Sequence, residues 1–366
     1  MKSKVRSKII IIGILFILLQ VIITSFSCIT GNSNRSSDYS DDSNLDYKNL
    51  KASKVSGKIH IDGNSGWAAF KAAGNCTGDG IYSNPYVIKD LEIDGGGSGS
   101  CILIENSNVY FKIENCKLYN AGGYPNAGIE LKNVTKGILV INNCTFSGQG
   151  IRLDDSDNNT ISGNTAKNNI YGISLEWANN NFISDNIASY NNNTGVFIFG
   201  GTSFNNIISG NVMDNNTNGI VLIGCTHNNI TENIVSRSGN VGIALELGPT
   251  PLPCSSNNIY LNCFNNTSNA VDYGSNNNWD NGVKGNYWTD YTGLDADNDG
   301  IGDIPYDING SAGSQDNFPL MNCPISTQDG GGIPLELIII ISSISGGAVI
   351  GVAALLLIRR KRKRIQ

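Results

Sequence analysis

The sequence contains little histidine and little methionine. Its two histidines are His60 and His227, and its three methionines are Met1, Met213 and Met321. A transition-metal site needs several imidazole or other soft ligands gathered in a cluster. The composition therefore argues against a protein whose task is to hold such a metal.

The central part of the chain has little of the alanine and leucine that amphipathic helices use. It is instead rich in asparagine and holds most of the 43 glycines. Glycine and asparagine favour turns, and the short apolar runs between them favour strands. A helical bundle is therefore excluded, and an all-β fold is expected.

Basic residues are also scarce outside the two ends. Ten of the 25 lysines and arginines lie in the terminal segments, which leaves 15 against 31 acidic residues and a net charge of −16 between them. Such a surface repels phosphate backbones, so we expect no nucleic-acid partner. It is compatible with cation binding or with solubility outside the cell.

Long apolar runs occur only near the chain ends. At the N-terminus, four basic residues precede an apolar run from Ile9 to Ile23, the pattern of a secretory signal peptide, which we assign to residues 1–28. Attachment of a lipid at Cys28 is the alternative. Residues 29–56 are polar and are expected to form a flexible leader.

At the C-terminus, residues 337–358 are apolar and long enough to cross a bilayer once, after a linker over 324–336. The basic tail, residues 359–366, belongs on the cytoplasmic side, so the rest of the chain is expected outside the cell. Cleavage of this anchor as a sorting signal is the alternative. Sequons such as those at Asn75, Asn133 and Asn229 lend modest support to glycosylation, since an asparagine-rich chain contains many by chance.

A repeat of 22 to 24 residues runs through the middle of the chain. Each copy is a glycine followed by alternating apolar residues, at Gly128, Gly150, Gly172, Gly195, Gly219 and Gly242. The period is too short for a pair of helices and fits one turn of a β-solenoid. The first and third residues after each glycine are aliphatic and are expected to stack as interior columns.

A second pattern, an apolar residue followed three places later by asparagine, recurs between the glycines. Stacked asparagines can bond amide to amide from coil to coil and so satisfy buried polar groups. We expect a structural ladder at Asn164, Asn186, Asn211, Asn233 and Asn262.

Several strings resemble one known family. The stretch from Gly78 to Ile88, the asparagine-rich coils, and the string from Gly285 to Tyr291 with Asp316 to Leu320 look like NosD-like right-handed parallel β-helix proteins, over roughly residues 57–322. The resemblance implies a pectate-lyase-like coil of three short parallel sheets. We therefore expect an N-terminal cap over 57–100, β-helix repeats over 101–284 and a C-terminal cap over 285–323.

The family takes its name from a factor for copper-enzyme maturation, whereas many relatives look like carbohydrate-binding or sugar-hydrolysing surface proteins. Fold alone does not select between these functions. With two scattered histidines, the copper role is disfavoured here.

An aspartate-rich string at 295–303 is the strongest local motif. Carboxylates at its positions 1, 3, 5 and 9, around a glycine at position 6, match the start of a calcium loop. The expected ligands are Asp295, Asp297, Asp299, the carbonyl of Ile301, and Asp303. A structural calcium ion in the C-terminal cap is expected, and a solvated acidic turn is the alternative.

The second and fourth residues after each repeat glycine should face outward and stack in two columns. Asp154 and Glu176 would then lie on neighbouring coils, at the ~5 Å spacing of retaining glycosidases, and are the candidate catalytic pair. Exposed rings beside carboxylates suit sugar binding. The candidate ligand-binding residues are Arg152, Asp155, Trp177, Phe197 and Phe199.

These features predict a cell-surface protein that binds carbohydrate or an envelope glycoprotein. A polysaccharide hydrolase or lyase is the second interpretation, and a purely structural or adhesive role is the third. If the chain is an enzyme, Asp154→Asn should abolish turnover, whereas the structural role predicts no glycan ligand.

Eight cysteines follow the signal peptide, an even number that suits an oxidising compartment. Cys225 and Cys254 should fall on successive coils, as should Cys116 and Cys144, within the reach of a disulfide. Both pairs are candidate disulfides, with stacking as free thiols the alternative.

Overall fold

Short runs of alternating aliphatic residues form parallel strands that stack coil upon coil around one apolar interior. The computed structural model describes residues 54–201, 203–248 and 253–325. The signal peptide, residues 29–53 of the leader, residues 326–336 of the linker, the transmembrane segment and the basic tail expected from the sequence lie outside these ranges. Within them, no helix is both long and apolar enough to cross a membrane.

Sheet 1 has nine strands, one from each successive coil, and every pairing in it is parallel. Strands are numbered in chain order. Those of sheet 1 are β2 (Ile59–Asp62), β5 (Ile102–Ser107), β8 (Ala127–Val134), β11 (Gln149–Asp154), β14 (Tyr171–Glu176), β16 (Thr194–Phe199), β19 (Asn218–Ile223), β22 (Val241–Glu246) and β25 (Ala270–Asp272).

Sheet 2 has eight parallel strands, which follow those of sheet 1 along each coil. They are β3 (Tyr86–Lys89), β6 (Phe111–Glu114), β9 (Gly137–Val140), β12 (Thr160–Ser162), β15 (Phe182–Ser184), β17 (Ile207–Ser209), β20 (Asn229–Thr231) and β23 (Asn258–Tyr260).

Sheet 3 has a five-stranded and a four-stranded part, which Ile187 links through single bridges to Thr165 and Val212. Its strands are β1 (Lys54–Ser56), β4 (Leu91–Asp94), β7 (Lys117–Tyr119), β10 (Asn143–Thr145), β13 (Thr165–Lys167), β18 (Val212–Asp214), β21 (Ile234–Ser236), β24 (Cys263–Asn265) and β26 (Tyr287–Trp288). The three sheets make a parallel β-solenoid of about eight turns, which confirms the β-helix expected from the sequence.

The register of sheet 1 stacks like residues on like residues. Ile151 pairs with Ile129 and Ile173, and Leu153 with Leu131 and Leu175. All six of these side chains are fully buried, as are their counterparts in the next three coils. Burial of a full aliphatic side chain is worth about 1.5–3 kcal/mol, so these columns are the main source of stability.

An asparagine ladder closes the corner between sheets 2 and 3. Each amide oxygen accepts from the backbone N or the Nδ2 of the preceding coil; Asn186, for example, donates from its backbone N and its Nδ2 to Oδ1 of Asn211 at 3.0 and 2.9 Å. The five ladder positions expected from the sequence are confirmed, and the ladder also includes Asn142 and Asn286. A second ladder, at Asn159, Asn181, Asn206, Asn228, Asn257 and Asn277, closes the corner between sheets 1 and 2.

The expected disulfides differ from those in the structure. Cys116 and Cys144 are buried thiols, because Cys144 pairs with Leu118 and lies two residues out of register with Cys116, which occupies the ladder position above Asn142. Cys225 and Cys254 do stack on neighbouring coils, but both are thiols, and Cys225 donates to the carbonyls of Ile198 and Ile223.

The disulfide in the structure joins Cys263 and Cys323, with 5.4 Å between their Cα atoms. It ties the end of the described chain to strand β24 of the last coil. Sequence spacing could not reveal it, because the two residues are 60 positions apart and Cys323 belongs to no repeat.

Buried tryptophans close both ends of the tube. Helix α1 (Gly63–Ala72) places Trp67 against Tyr86 and Phe111 at the first coil. At the other end, Trp288 stacks between Phe264 and Tyr306. A hairpin of β27 (Tyr306–Asp307) and β28 (Gln315–Asp316) completes this C-terminal cap. The caps keep the apolar end layers of the solenoid from water.

Candidate functional site

The outward columns of sheet 1 have the register expected from the sequence. Arg152 pairs with Glu130 and Ser174, and Asp154 pairs with Lys132 and Glu176. Phe197 and Phe199 continue the two columns on strand β16. Candidate residues from three successive coils are thus brought onto one face.

The expectation that these columns are open to solvent is wrong for Glu130, Arg152 and Glu176, whereas Lys132 and Glu246 are exposed. The exposed fraction is 7% for Arg152 and 4% for Glu176. Each contacts the other, and aromatic side chains lie beside them. The face is therefore a half-covered site and not an ordinary solvated sheet surface.

Arg152 ties three carboxylates together. Its Nη1 lies 2.7 Å from Oε1 of Glu130, and its Nη2 lies 2.8 Å from Oε2 of Glu176 and 3.1 Å from Oδ2 of Asp154. Its Nε also donates to Oε1 of Glu176 at 3.2 Å, so this pair is bidentate. We call Glu130, Arg152, Asp154 and Glu176 the charged cluster.

The charges in the cluster perturb one another. Burial disfavours the charged form of Arg152, but Glu176, Asp154 and Glu130 outweigh it and raise the pKa of the guanidinium. Burial also raises the pKa of Asp154, and the negative charge of Glu176 adds to this while Arg152 opposes it. Asp154 is thus the member of the predicted catalytic pair that holds a proton more readily than an ordinary aspartate.

Five rings form a continuous aromatic arc beside the charged cluster. Tyr124 contacts Tyr171 with 5.9 Å between ring centroids, and Tyr171 contacts Phe197 at 5.2 Å. Phe197 stacks on Phe199 at 6.1 Å, and Phe199 meets Trp177 edge-on at 5.4 Å. Burial, followed by the charge of Glu176, raises the pKa of both tyrosines, so their hydroxyls stay protonated.

Tyr124 and Tyr171 were not identified from the sequence. Tyr124 lies between strands β7 and β8, outside the repeat pattern, and the adjacent Pro125 carbonyl accepts from Nε2 of Gln149 at 3.1 Å. Tyr171 comes directly before the repeat glycine Gly172, whereas the sequence pattern used only residues that follow the glycine. The aromatic residue itself could have marked this coil as different, since the other copies have alanine, glutamine, threonine, asparagine and valine there.

Trp177 has an unusual backbone conformation. Strands β11, β14, β16 and β19 of sheet 1 are each followed by a residue with positive φ, and after β14 that residue is Trp177, with φ +51°. Bulky residues rarely adopt this conformation, which favours glycine and asparagine. The next coil has Gly200, where a Cβ would lie only 2.7 Å from Cδ1 of Trp177, so the indole lies over this glycine.

Asp155, the remaining candidate ligand, occupies the same left-handed position one coil before Trp177. It is exposed, with φ +47°, and its backbone N donates to the carbonyl of Glu176 at 2.9 Å. The structure therefore places it at the rim of the aromatic arc, outside the charged cluster.

The aspartate-rich loop lies apart from this face, in the C-terminal cap. Asp295, Asp297 and Asp299 each place one carboxylate oxygen within 4.8 Å of the others. Asp303 instead accepts a hydrogen bond from the backbone N of Ala296 at 2.8 Å, and the backbone N of Ile301 donates to Asp299. Three of the expected ligands are thus together, and hard oxygen donors of this kind suit calcium.

The chain matches one protein family and is similar in fold to several solved structures. The family described as "Periplasmic copper-binding protein (NosD)" matches residues 73–293. A search of the curated proteins finds no match. Among solved structures, the chain is similar to the periplasmic alginate epimerase AlgG, at 17% identity and a TM-score of 0.41, over 52% of this chain and 45% of that one. The chain thus spans less than half the length of that epimerase.

Two further solved structures are similar at comparable levels. DFA-IIIase from Arthrobacter chlorophenolicus A6, in complex with DFA-III, has 14% identity and a TM-score of 0.40, over 61% of this chain and 71% of that one. The Dettilon tailspike protein has 13% identity and a TM-score of 0.37, over 64% of this chain and 58% of that one.

The donor set of this chain does not fit a copper site. His60 bonds to Glu105 at 2.7 Å in the first coil, and His227 lies several coils away in a turn before β20. In the described part of the chain, the three-residue group that could hold an ion consists of carboxylates alone. Copper prefers imidazole, thiolate and thioether ligands, so no step of the function is assigned to it.

Proposed function

Since the chain belongs to the NosD family of β-helix proteins, we propose that it is a carbohydrate-binding member that holds a polysaccharide on the outer face of sheet 1. The observation that carries this proposal is the aromatic arc beside the charged cluster. Rings that are open on one side can stack on the apolar faces of sugars. Carboxylates and tyrosine hydroxyls beside them can bond to sugar hydroxyls.

The shape of the face suits an extended chain. Its columns rise by one strand spacing, about 4.8 Å, per coil, so the five steps from Glu130 to Ala244 cover about 24 Å. Beyond the aromatic arc, Val221, Ile223 and Ala244 continue the columns as an apolar strip, in which Val221 and Ala244 are buried and Ile223 is partly exposed. A polymer lying along the solenoid axis could therefore contact several coils at once.

We further propose that the solenoid is displayed at the cell surface. The secretory signal over 1–28 and the apolar segment over 337–358 support this, since together they would leave the solenoid outside the membrane. The partner would then be a polysaccharide or an envelope glycoprotein.

The test is binding of the full-length protein, in detergent, to a panel of neutral and charged polysaccharides. Replacing Phe197 and Phe199 together with alanine should weaken binding on the order of 10-fold or more, because each stacked ring contributes ~0.5–1.5 kcal/mol. Phe146→Ala is the control, because Phe146 is exposed and follows a strand of sheet 3. Equal binding by the double variant and the control, or no binding by the native protein, would contradict the proposal.

A hydrolase or lyase is the second candidate, and the pairing of Asp154 with Glu176 favours it. Burial raises the pKa of Asp154, while Glu176 forms a bidentate ion pair with Arg152. A carboxyl that holds a proton beside an ion-paired carboxylate is an arrangement that suits an acid and a nucleophile. Under this function, bound polysaccharide becomes shorter with time, and Asp154→Asn stops the shortening without preventing binding. Chains that bind but keep their length would exclude it.

A further inference from the structure

We propose that the face selects an amino sugar with a free ammonium group, and discriminates against sugars that carry a carboxylate. This inference rests on the proposed function and names the class of its ligand. It follows from three properties of the face: its net charge, the pairing of its cations and the rings beside it.

The charged cluster has more negative than positive charge. Three carboxylates surround the single guanidinium of Arg152, so the cluster carries a net negative charge. Asp155, at the rim, is exposed and adds a further carboxylate. Because Arg152 and Glu176 are largely buried, this charge is weakly screened by solvent and attracts a cation more strongly than a surface pair would.

The cations of this face already have partners. Both terminal nitrogens and Nε of Arg152 contact carboxylates of the cluster. Lys132, the neighbour of Asp154 in the register, lies 3.6 Å from Glu105. Within the described outer columns of sheet 1, a sugar carboxylate would therefore meet carboxylates before it met an available cation, and like charges in contact are unfavourable.

The aromatic arc supplies a second attraction for a cation. Tyr171 and Phe197 follow the cluster along the face, and Glu176 influences the pKa of Tyr124 and Tyr171, so the rings and the carboxylate share one environment. An ammonium group is attracted to the negative face of such rings. A ring face next to a buried carboxylate therefore suits an ammonium better than a neutral amide.

Asp154 is the residue placed to contact the ammonium. Its side chain has 17% of its surface exposed, against 5% for Glu176. Its Oδ2 lies 3.1 Å from Nη2 of Arg152, whereas its Oδ1 makes no hydrogen bond or ion pair with the described residues. Oδ1 can thus accept from a ligand without breaking the cluster.

The test compares three oligosaccharides of equal length with the full-length protein at pH 6: a glucosamine oligomer, its N-acetylated form and a galacturonate oligomer. The glucosamine oligomer should bind about 10-fold more tightly than the acetylated one, and the galacturonate oligomer at least 10-fold more weakly than the acetylated one. Tighter or equal binding of galacturonate would overturn the inference and leave the proposed function intact. Failure of all three to bind would overturn both.

Two variants separate recognition by the cluster from general attraction of a cation to an acidic protein. Asp154→Asn should remove most of the preference for glucosamine over its acetylated form. Glu246→Gln removes one carboxylate four coils further along the same column and should leave the preference unchanged. Equal loss of preference in both variants would overturn the assignment to the cluster.

Discussion

The ladder asparagines show how single residues specify this fold. Each one accepts from the coil before it and donates to the coil after it, and its Nδ2 also bonds a backbone carbonyl at the corner. A fully buried corner leaves no water to satisfy these groups. Asparagine therefore recurs here because its one side chain supplies an acceptor and two donors at once.

We predict that Asn211→Ala destabilises the solenoid strongly. The change removes the acceptor of the backbone N of Asn186 and one of the two acceptors of its Nδ2, and it removes the Nδ2 donor to the carbonyl of Ile183. At ~1–3 kcal/mol for each buried group, we expect a loss of about 4 kcal/mol, measured by urea unfolding. Asn240→Ala is the control, since Asn240 is exposed and bonds only to the side chain of Asn218; it should change stability by under ~0.5 kcal/mol. A similar small loss in Asn211→Ala would refute the structural role of the ladder.

Asp316 gives the C-terminal cap a pH dependence of known sign. Burial raises the pKa of this carboxyl from its ordinary value of 3.8 to about 6, although the backbone N of Asn286, Nε1 of Trp288 and the backbone N of Phe318 all donate to it. A raised pKa means that the folded state holds the proton more tightly than the unfolded state. The stabilisation is therefore complete below about pH 4 and is lost as the pH rises to about 6.

The measurement is thermal or urea unfolding across this pH range. The native protein should lose about 3 kcal/mol relative to Asp316→Asn between pH 4 and pH 7, because two pKa units correspond to about 3 kcal/mol. Asp307→Asn, at an exposed position of the same hairpin, should keep the native slope. Parallel curves for the native protein and Asp316→Asn would contradict the prediction.

Most of the residues that the repeat aligns were predictable from the sequence, although Tyr171 and the second asparagine ladder were missed, whereas Tyr124 and the partner of Cys263, outside the repeat, gave no such signal. The aliphatic columns, five ladder asparagines and the register of Asp154 with Glu176 follow from a constant period, because parallel coils stack equivalent positions. Tyr124 lies in a loop with no counterpart in other coils. The disulfide partner of Cys263 lies in the cap, where no repeat fixes the register.

At the scale of elements, the outer faces of the three sheets are not equivalent. Sheet 1 has strands of six residues or more in its middle coils, whereas sheets 2 and 3 have strands of two to four. Longer strands give sheet 1 two outward columns, of which the second holds Asp154, Glu176 and Phe199. The sequence indicated these columns, but it could not indicate their burial, which depends on Tyr124 and the rings packed around them.

The aspartate-rich loop is the element for which we propose a calcium ion. Three carboxylates close together repel one another unless a cation neutralises them. With an affinity of ~1 mM, 10 mM calcium would stabilise the cap by about 1.4 kcal/mol, which should raise the melting temperature measurably over that in a chelator. Asp297→Asn should remove the calcium effect, and Asp307→Asn should preserve it. An identical transition with calcium and with chelator would refute the site.

At the scale of the whole molecule, each coil contacts mainly its two neighbours. The stability of a coil therefore depends on the coils next to it, and that of the end coils on the caps. The outer face of sheet 1 is open to a ligand around Asp154 and the aromatic arc, whereas Ser174, Val221 and Ala244 in the same columns are buried. A surface protein needs such a face to point away from the membrane, and this depends on how the solenoid is held there.

We predict that the full chain is held by its apolar C-terminal segment. After cell lysis, it should sediment with the membranes and stay there after washes with high salt and with alkaline carbonate, because ~20 apolar residues anchor a protein far more firmly than surface charge does. A chain ending at residue 325 should instead appear in the soluble fraction with the same melting temperature, since the described solenoid and both caps are complete by that residue. Replacing the basic residues of the tail with glutamine, while keeping 337–358, is the matched control and should still sediment. If the truncated chain sediments as the full chain does, the anchor lies elsewhere, and the C-terminal segment has another role.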